Sequence, residues 1–221
     1  MVKNNRILRN FLAYIFAIFL VVSLPLQIVG AAAPATLSYG SKGEDVPDVQ
    51  YRLKILGYFM NAEVTDFYGK MTEDAVKRFQ KDYGLQADGI AGKQTWKTLK
   101  KVSVSEHELN LLARIIFAES RGEPFKGQVA VGAVVMNRLA SSQFPDTIKG
   151  VIEQPGAFTA VDDGQYRLQP DSTAYKAAVE AIAGNDPSNG ALYYFNPKTA
   201  TSSWIWTREQ LVQIGNHIFA I

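Results

Sequence analysis

The stretch LLARIIFAESRGEPFKGQVAVGAVVMNRL, residues 111–139, predicts two consecutive helices joined by a turn. In the first helix, Leu112, Ile115 and Glu119 follow one another at spacings of three and four, so they share one face. That helix is expected to end at Arg121. The second half of the stretch is rich in Ala, Gly and Val, which is typical of a buried, closely packed helix. The pair predicts a helical core with an acidic residue on an apolar face.

The position of Glu119 allows two interpretations. A carboxylate on an apolar face is costly to desolvate, and this favours the protonated acid. A protonated carboxylic acid is what cleavage of a glycosidic bond requires. The structural alternative is a charged helix end paired with Arg114, Arg121 or Lys126, and by spacing alone this alternative is the more common of the two.

Composition excludes several chemistries. The chain of 221 residues is 47% hydrophobic and 11% aromatic, which is enough for real cores. It has no cysteine, so cysteine nucleophiles, disulfides and thiolate metal sites are excluded. His107 and His217 lie far apart, and no HExxH, GxSxG or SxxK motif supports a zinc or serine enzyme. We therefore expect no metal and no cofactor. The net charge of +2 gives no argument for nucleic acid.

Residues 1–33 have the pattern of a signal peptide. Lys3, Arg6 and Arg9 precede an apolar core, small residues follow it, and no charged residue recurs before Lys42. An uncleaved membrane anchor is the alternative interpretation, because the uncharged stretch continues past the core. In either case the working part of the chain is expected outside the cytoplasm.

Residues 34–100 predict a small domain of three short helices. The first has apolar residues at spacings of three and four over 46–56 and ends at a glycine. The second is predicted to begin at Thr72 as N-cap and to end before Gly84. The third passes through Trp96.

Two segments of this domain, GSKGEDVPDVQYRLKILGYF and YGKMTEDAVKRFQKDYGLQADGIAGKQTWKTL, resemble the peptidoglycan-binding domain found beside many wall hydrolases. The resemblance covers residues 40–99 almost continuously. In such domains aromatic faces and polar side chains usually hold glycan in a shallow groove. The candidates that this implies here are Tyr58, Tyr68, Gln80 and Asp88.

A second domain is predicted over residues 105–221. Ser105 and Glu108 have the spacing of a capping box, so a helix begins there. A further helix is predicted over 172–185, and ALYYFNP and NHIFAI are short apolar-aromatic runs with the composition of strands. Pro, Gly and Asp between them indicate a structured loop region with short helical turns. The fold class is therefore mainly α with a minor β component.

This second domain resembles the SleB/CwlJ cell-wall hydrolase family. The resemblance is carried by LLARIIFAESRGEPFKGQVAVGAVVMNRL, FTAVDDGQ, ALYYFNP and IGNHIFAI, and it covers roughly residues 108–221. It implies a lysozyme-like or lytic-transglycosylase-like α+β catalytic domain, with Glu119 in the family's catalytic motif. The implied reaction is lytic cleavage between N-acetylmuramic acid and N-acetylglucosamine, with Glu119 as acid and then base.

The remaining polar residues of the domain leave alternatives open. A hydrolase would need a second carboxylate, and Glu123, Asp162 and Asp163 are the available candidates. Of these, Glu123 is more typical of a structural residue. His217 precedes an apolar run and is more typical of a buried structural histidine than of a catalyst. The expected substrate-binding residues are Thr159, Asp162, Asp163, Tyr194 and Asn196. Each of them has an alternative interpretation as an ordinary core or turn residue.

The resemblance also implies a partner and a location. The expected partner is spore cortex peptidoglycan that contains muramic δ-lactam, together with a regulatory spore protein, and no nucleic acid. The expected location is extracytoplasmic, at the cortex or the surface of the inner spore membrane. A hydrolytic muramidase or glucosaminidase and a non-catalytic wall-binding spore protein remain the alternatives.

Overall fold

The computed structural model describes residues 34–60 and 63–221, so the predicted signal peptide lies outside the described residues. Within these ranges, no helix combines the length and apolar character needed to cross a membrane. The described elements are α1 (Asp45–Ile55), α2 (Lys70–Asp82), α3 (Lys93–Val102), α4 (Glu106–Ser120), α5 (Phe125–Ala140), α6 (Ile148–Ile152), α7 (Thr159–Asp162), α8 (Ser172–Ile182), β1 (Tyr193–Phe195), β2 (Gln210–Ile214) and β3 (His217–Ala220), with short 3-10 turns at Gln165–Arg167 and Ile205–Thr207. The prediction of a mainly α chain with minor β structure is confirmed.

The first three helices enclose a core of their own. Its fully buried members include Val49, Leu53, Phe79 and Leu99, which lie on the inward faces of α1, α2 and α3. The amide of Gln50 is buried with them, and its Nε2 donates to the Thr72 hydroxyl at 2.9 Å. Because that amide is hydrogen-bonded, the polar group does not oppose packing of α1 on α2.

Thr72 does not cap α2, contrary to the prediction. The helix begins two residues earlier, at Lys70, and its N-cap is Gly69, which has no side chain to accept a hydrogen bond. Thr72 lies within the first turn, and its hydroxyl faces the core as the acceptor for Gln50. The long-range hydrogen bond therefore determines the orientation of Thr72, and a local capping rule could not reveal it.

A buried arginine joins the first domain to the second. Arg52 of α1 is 4% exposed, and it donates through Nη1 to the Ser103 carbonyl at 2.9 Å and through Nη2 to Glu108 at 3.1 Å. Glu108 also accepts from the Ser105 backbone N–H at 2.7 Å, while the Ser105 hydroxyl accepts from Glu108 N. The predicted capping box is confirmed, and its glutamate is also part of the junction between the domains.

The core of the second domain is built around α5. Its buried positions run through nearly every side of the helix, from Gly127 to Val135, and α5 packs against both α4 and α8. The residues are small, so the three helices lie close together. A Cβ added at Gly132 would lie 2.8 Å from Ile116 Cδ1 of α4 and 2.9 Å from Ala181 Cβ of α8.

A three-stranded antiparallel sheet in the order β1-β3-β2 completes the domain. In its register Tyr194 of β1 faces Phe219 of β3, and Ile214 of β2 faces His217. The strands β1 and β3 correspond to the two predicted runs. The sequence analysis did not include β2, because its QLVQI segment has no bounding pattern as clear as those of the other two.

We predict that Gly132→Ala destabilises the protein despite the higher helix propensity of alanine. The propensity gain is about 1 kcal/mol, whereas overpacking a tight core costs about 1–3 kcal/mol. Ile116 can rotate away, but Ala181 is fixed by its helix, so we expect a net loss. Thermal unfolding should show a midpoint lower by a few degrees.

Gly122→Ala is the control for this prediction, because a Cβ at Gly122 would meet nothing within 4 Å. Its midpoint is expected to change less than that of Gly132→Ala. An unchanged or raised midpoint for Gly132→Ala would show that α4 and α8 have room to separate.

Candidate active site

Glu119 lies in the last turn of α4, at the edge of the buried face. Leu112 and Ile115 on that face are fully buried, whereas the side chain of Glu119 is only partly buried. The helix ends at Ser120, with Arg121 as its C-cap. The apolar stripe therefore directs Glu119 inward, while the end of the helix leaves one side of its carboxyl group open.

Two hydrogen bonds fix the Glu119 carboxyl group. The backbone N–H of Ala160 donates to Oε1 at 2.7 Å, and the Tyr194 hydroxyl donates to Oε2 at 2.9 Å. Ala160 belongs to the first turn of α7, where backbone N–H groups have no partner within the helix. These contacts bring α4, α7 and β1 together at one carboxyl group, and no ion pair with Arg114, Arg121 or Lys126 is formed within the described residues.

Tyr194 is held by aromatic rings on several sides. Its ring centroid lies 5.1 Å from that of His217, 5.8 Å from Phe219 and 6.4 Å from Phe158. Burial raises the pKa of Tyr194 well above its ordinary value, and the neighbouring Glu119 carboxylate raises it further. The hydroxyl therefore stays protonated and can donate to the Glu119 carboxylate or accept from its acid form.

Glu119 opens into a cleft of about 470 Å³. Within the described part of the chain, Glu119 is the only carboxyl-bearing side chain that lines this cleft. The other lining residues are Arg138, Gly156, Ala157, Phe158, Thr159, Tyr193, Tyr194, Phe195, Asn196, Thr199, Ala200, Thr201, Ser202, Trp204 and Ile205. The cleft thus combines one carboxylic acid (Glu119), one permanently positive side chain (Arg138), several hydroxyl groups and an aromatic wall.

Arg138 is the cleft residue that sequence reasoning missed. It projects from α5, is 5% exposed, and its guanidinium carbon lies 4.9 Å from the ring centroid of Phe158, 5.3 Å from Phe144 and 5.6 Å from Tyr193. Its Nε donates to the Leu192 carbonyl at 2.8 Å, and its buried Nη1 has no hydrogen-bond partner.

No carboxylate lies within 4 Å of Arg138 in the described residues. Burial lowers the pKa of Arg138, while Tyr194, Tyr193 and Glu119 act in the opposite direction. A guanidinium remains protonated in proteins, so a buried positive charge lies beside the Glu119 site. The signal in the sequence that could have indicated this buried charge was an arginine, the only charged residue in the largely apolar run VAVGAVVMNRLA.

Trp204 forms part of the rim of the cleft and was also missed. Its side chain is 47% exposed, its ring lies edge-on to Tyr193 at 5.1 Å, and the Arg208 guanidinium stacks over it at 4.7 Å. A large exposed aromatic ring beside a polar cleft is suited to contact the apolar face of a sugar. Its signal in the sequence was the unusual SSWIW segment.

The predicted substrate-binding residues divide into two groups. Thr159, Tyr194 and Asn196 line the cleft together with Glu119. Asp162 and Asp163 do not; both are exposed. Asp163 accepts from the backbone and side-chain N–H groups of Gln165 at 2.9 and 2.7 Å, and these hydrogen bonds hold its pKa below the ordinary value.

Glu123 connects the α4–α5 turn to the β2–β3 turn. Its carboxylate accepts from the Asn216 backbone N–H at 2.9 Å and from Asn216 Nδ2 at 3.0 Å. Burial alone would raise the pKa of Glu123, but these hydrogen bonds outweigh burial and lower it. Gly215 has φ +60°, and a Cβ there would collide with the Glu123 carboxylate. These contacts support the structural role expected for Glu123.

Two of the predicted glycan contacts in the first domain need correction. Tyr68 is fully buried and donates to the Gly89 carbonyl at 2.8 Å. Gln80 is 2% exposed, and its amide binds Asp88 at 2.9 Å and the backbone N–H of Gly89 at 2.8 Å. Neither side chain offers a surface to glycan, because both close the loop around Gly89 from inside. Tyr58, half-buried, and Asp88, exposed, remain accessible.

Comparisons with known proteins agree with this two-domain arrangement. Residues 42–99 match the family described as a peptidoglycan binding domain, and residues 122–220 match the Cell Wall Hydrolase family. A Bacillus cereus protein named spore cortex-lytic enzyme is 41% identical, in a match that covers 94% of this chain and 95% of that protein.

Two solved structures resemble the second domain. The catalytic domain of the Bacillus cereus SleB protein is 56% identical, with a TM-score of 0.52, and the match covers 54% of this chain and 93% of that one. The catalytic domain of the germination-specific lytic transglycosylase SleB from Bacillus anthracis has the same identity of 56% and TM-score of 0.52, over 53% of this chain and 97% of that one. The chain therefore belongs to the spore cortex-lytic enzyme family.

Proposed function

We propose that this protein cleaves the β-1,4 bond between N-acetylmuramic acid and N-acetylglucosamine in spore cortex peptidoglycan as a lytic transglycosylase. Membership of the family makes it a peptidoglycan-cleaving enzyme. The finer assignment concerns the mechanism, with Glu119 as general acid and then general base. It also concerns the setting, which is degradation of the cortex during germination.

One observation carries the assignment of mechanism: the cleft contains a single carboxyl group. Hydrolytic glycosidases generally use two carboxyl groups, one as acid and one as nucleophile or as base for water. In the described chain Glu119 alone supplies a carboxyl group to the cleft, while Asp162 and Asp163 are exposed outside its lining. Intramolecular attack by a substrate hydroxyl needs only one such group, because no water has to be activated.

The proposed reaction uses Glu119 twice. Protonated Glu119 first gives its proton to the glycosidic oxygen as the bond from C1 of the muramic residue to that oxygen breaks. The C6 hydroxyl of the same muramic residue then attacks C1 and loses its proton to the Glu119 carboxylate. The products are a free N-acetylglucosamine hydroxyl and a 1,6-anhydro muramic end. Glu119 is protonated again and no water is consumed.

The neighbours of Glu119 suit both halves of this cycle. The Tyr194 hydroxyl can donate to the carboxylate and accept from the acid, so its contact persists through the proton transfers. The Ala160 N–H fixes the other oxygen. The charge of Arg138, which is 5% exposed and lines the same cleft, stabilises the carboxylate that remains after the first proton transfer.

The substrate and location are proposals drawn from the family. We infer that the enzyme prefers cortex strands containing muramic δ-lactam, and that Thr159, Asn196 and Trp204 contact the sugars. We also infer that it acts outside the cytoplasm, at the cortex or the inner spore membrane surface, under the control of a regulatory spore protein. Side-by-side digestion of purified cortex and vegetative wall tests the substrate preference.

Glu119→Gln is expected to lower the rate of cortex cleavage at least about 100-fold, because an amide can neither donate nor accept the transferred proton. Release of soluble muropeptides, identified by mass spectrometry, measures this effect. Gln is nearly isosteric with Glu, so the thermal unfolding midpoint should change little. Glu153→Gln, at an exposed glutamate outside the cleft, is the matched control and should retain parental activity.

The products of the parent enzyme decide between the mechanisms. Anhydro-muramic ends are expected after digestion. Ends that reduce to hexosaminitols would replace the transglycosylase assignment with a muramidase or a glucosaminidase. A parent protein that binds cortex and releases no muropeptides would favour a non-catalytic wall-binding protein. A Glu119→Gln variant with full activity would show that Glu119 is not part of the mechanism.

Tyr194→Phe is expected to lower kcat about 10- to 100-fold with a smaller change in KM. The substitution keeps the ring between His217 and Phe219 and removes only the hydrogen bond to a charged group. Since the pKa of Tyr194 is raised well above its ordinary value, its deprotonation should not limit the parent at moderately alkaline pH. Steady-state kinetics on a soluble glycan measure both effects, and an unchanged kcat would contradict the role of the hydroxyl.

Arg138→Met is expected to lower kcat about tenfold or more, because it removes the positive charge beside Glu119 and keeps a side chain of similar length. Arg138→Lys keeps the charge and should restore a large part of the lost activity. The planar stacking on three rings is lost in both variants, so both should unfold at a lower temperature. Equal activities of the two variants would mean that Arg138 acts through packing alone.

A further inference from the structure

A groove of about 710 Å³ lies on the peptidoglycan-binding domain, away from the cleft residues. Its walls come from α3 and from the segment that follows α2. We call it the lysine groove and define it by Lys93, Lys97, Lys101, Tyr83, Leu85 and Val102. The predicted glycan contacts Tyr58, Tyr68, Gln80 and Asp88 do not line this groove.

The three lysines form one stripe along α3. They are spaced by four residues, so they follow one another on the same helix face, and all three are exposed. From Lys93 to Lys101 the helix rises about 12 Å. The stripe thus presents three positive charges in a row beside the groove.

In the part of the chain that the structure describes, no acidic side chain forms an ion pair with these lysines. Within the described residues, none of the three lysines has a carboxylate within 4 Å. On the neighbouring helix α2, Lys70 and Lys77 both pair with Glu73, at 3.0 and 2.7 Å, whereas Lys81 has no ion pair among the described residues. The lysine groove therefore carries three positive charges that have no ion-pair partner in the described part of the chain.

Stability of α3 does not account for the whole stripe. A lysine in the last turn, such as Lys101, interacts favourably with the helix dipole. Lys93 is the first residue of the helix, where positive charge is unfavourable, and the first turn contains no acidic residue. The position of Lys93 is thus better explained by an anionic ligand than by folding.

The floor of the groove is apolar. Tyr83 is 40% exposed and its ring lies 4.5 Å from that of Phe79, while Leu85 and Val102 are half-buried. An apolar floor beside a row of lysines fits an extended peptide with several carboxylates and small aliphatic side chains. Extended chain covers about 3.3 Å per residue, so the stripe matches roughly four residues.

We propose that the lysine groove binds the carboxylate-bearing stem peptides of peptidoglycan. This proposal rests on the proposed function in one respect, that peptidoglycan is the polymer bound. The sugar strand is then free to enter the cleft of the second domain, while the peptides supply affinity through the first domain. The stem peptide is favoured over the glycan as occupant because the lactyl carboxyl group of a muramic residue is an amide wherever a stem peptide is attached or a δ-lactam is formed. Those sugars then offer the lysines no charge.

The test uses the full chain and measures co-sedimentation with purified peptidoglycan in the cold. Lys93→Gln/Lys97→Gln/Lys101→Gln is compared with Lys54→Gln/Lys81→Gln/Lys176→Gln, which removes the same charge from exposed lysines outside the groove. We expect the first triple variant to bind about tenfold more weakly, as three solvent-exposed ion pairs allow, and the second to bind like the parent. Parent binding should weaken with salt.

A synthetic stem tetrapeptide supplies the second arm. The free peptide should displace the parent from peptidoglycan, and the same peptide with its carboxylates converted to carboxamides should not. Equal displacement by both peptides would overturn the proposal. An equal loss of binding in both triple variants would overturn the proposal too, because net charge alone would then explain binding. Full binding by the groove variant would also overturn it.

A separate measurement distinguishes a wrong assignment of the lysine groove from a wrong assignment of the catalytic function. Cleavage of a soluble, peptide-free glycan depends on the second domain alone, and the groove variant should cleave it at the parental rate. Circular dichroism melting of both triple variants reports whether either has lost its fold. Loss of cleavage by a folded groove variant would contradict a role confined to peptide binding.

Discussion

The close packing of α5 between α4 and α8 is the constraint on which the second domain depends. At Gly132 the three helices approach so closely that not even a methyl group fits between Ile116 and Ala181. This packing fixes the position of α4 and therefore the place where its last turn ends. It also determines where Arg138, in the last turn of α5, emerges beside the cleft. The acid and the positive charge are thus positioned by the same helix–helix contact.

Glu119 illustrates how a polar group on an apolar face can be stable without an ion pair. Its carboxyl oxygens take hydrogen bonds from a backbone N–H of α7 and from a tyrosine hydroxyl of β1, so neither partner brings a formal charge. The permanent charge that lines the same cleft, Arg138, is held by aromatic rings and a carbonyl group and not by Glu119 itself. A direct salt bridge would occupy the carboxyl group, whereas this arrangement leaves it accessible from the cleft. The geometry suits an acid that must exchange its proton.

Local signals in the sequence predicted those parts of the structure that depend on neighbours along the chain. The Ser105–Glu108 capping box, the apolar stripe of α4 and the composition of α5 all belong to this class. The stripe made Glu119 a candidate, and the family resemblance was needed to favour it over an ordinary charged helix end. Properties that depend on contacts between residues distant in sequence were missed. Thr72 turns inward to bind Gln50, and Tyr68 is buried against the loop around Gly89. Arg138 is surrounded by aromatic rings from three separate segments. Periodicity distinguishes the faces of a helix but not which of its polar residues find a partner.

The junction between the domains connects the two binding surfaces physically. Only three residues separate the end of α3 at Val102 from the start of α4 at Glu106, and Arg52 holds this segment through the Ser103 carbonyl and Glu108. Bending at the junction would break the hydrogen bonds of Arg52 to Ser103 and Glu108 and leave it only its ion pair with Asp48 at 2.9 Å. Because Arg52 is 4% exposed, such a loss of partners is costly. The helix that carries the lysine groove therefore leads with little freedom into the helix that carries Glu119. A peptidoglycan strand held by its peptides along α3 is, for that reason, presented to the cleft in a restricted orientation, and the first domain contributes to where the second one cuts.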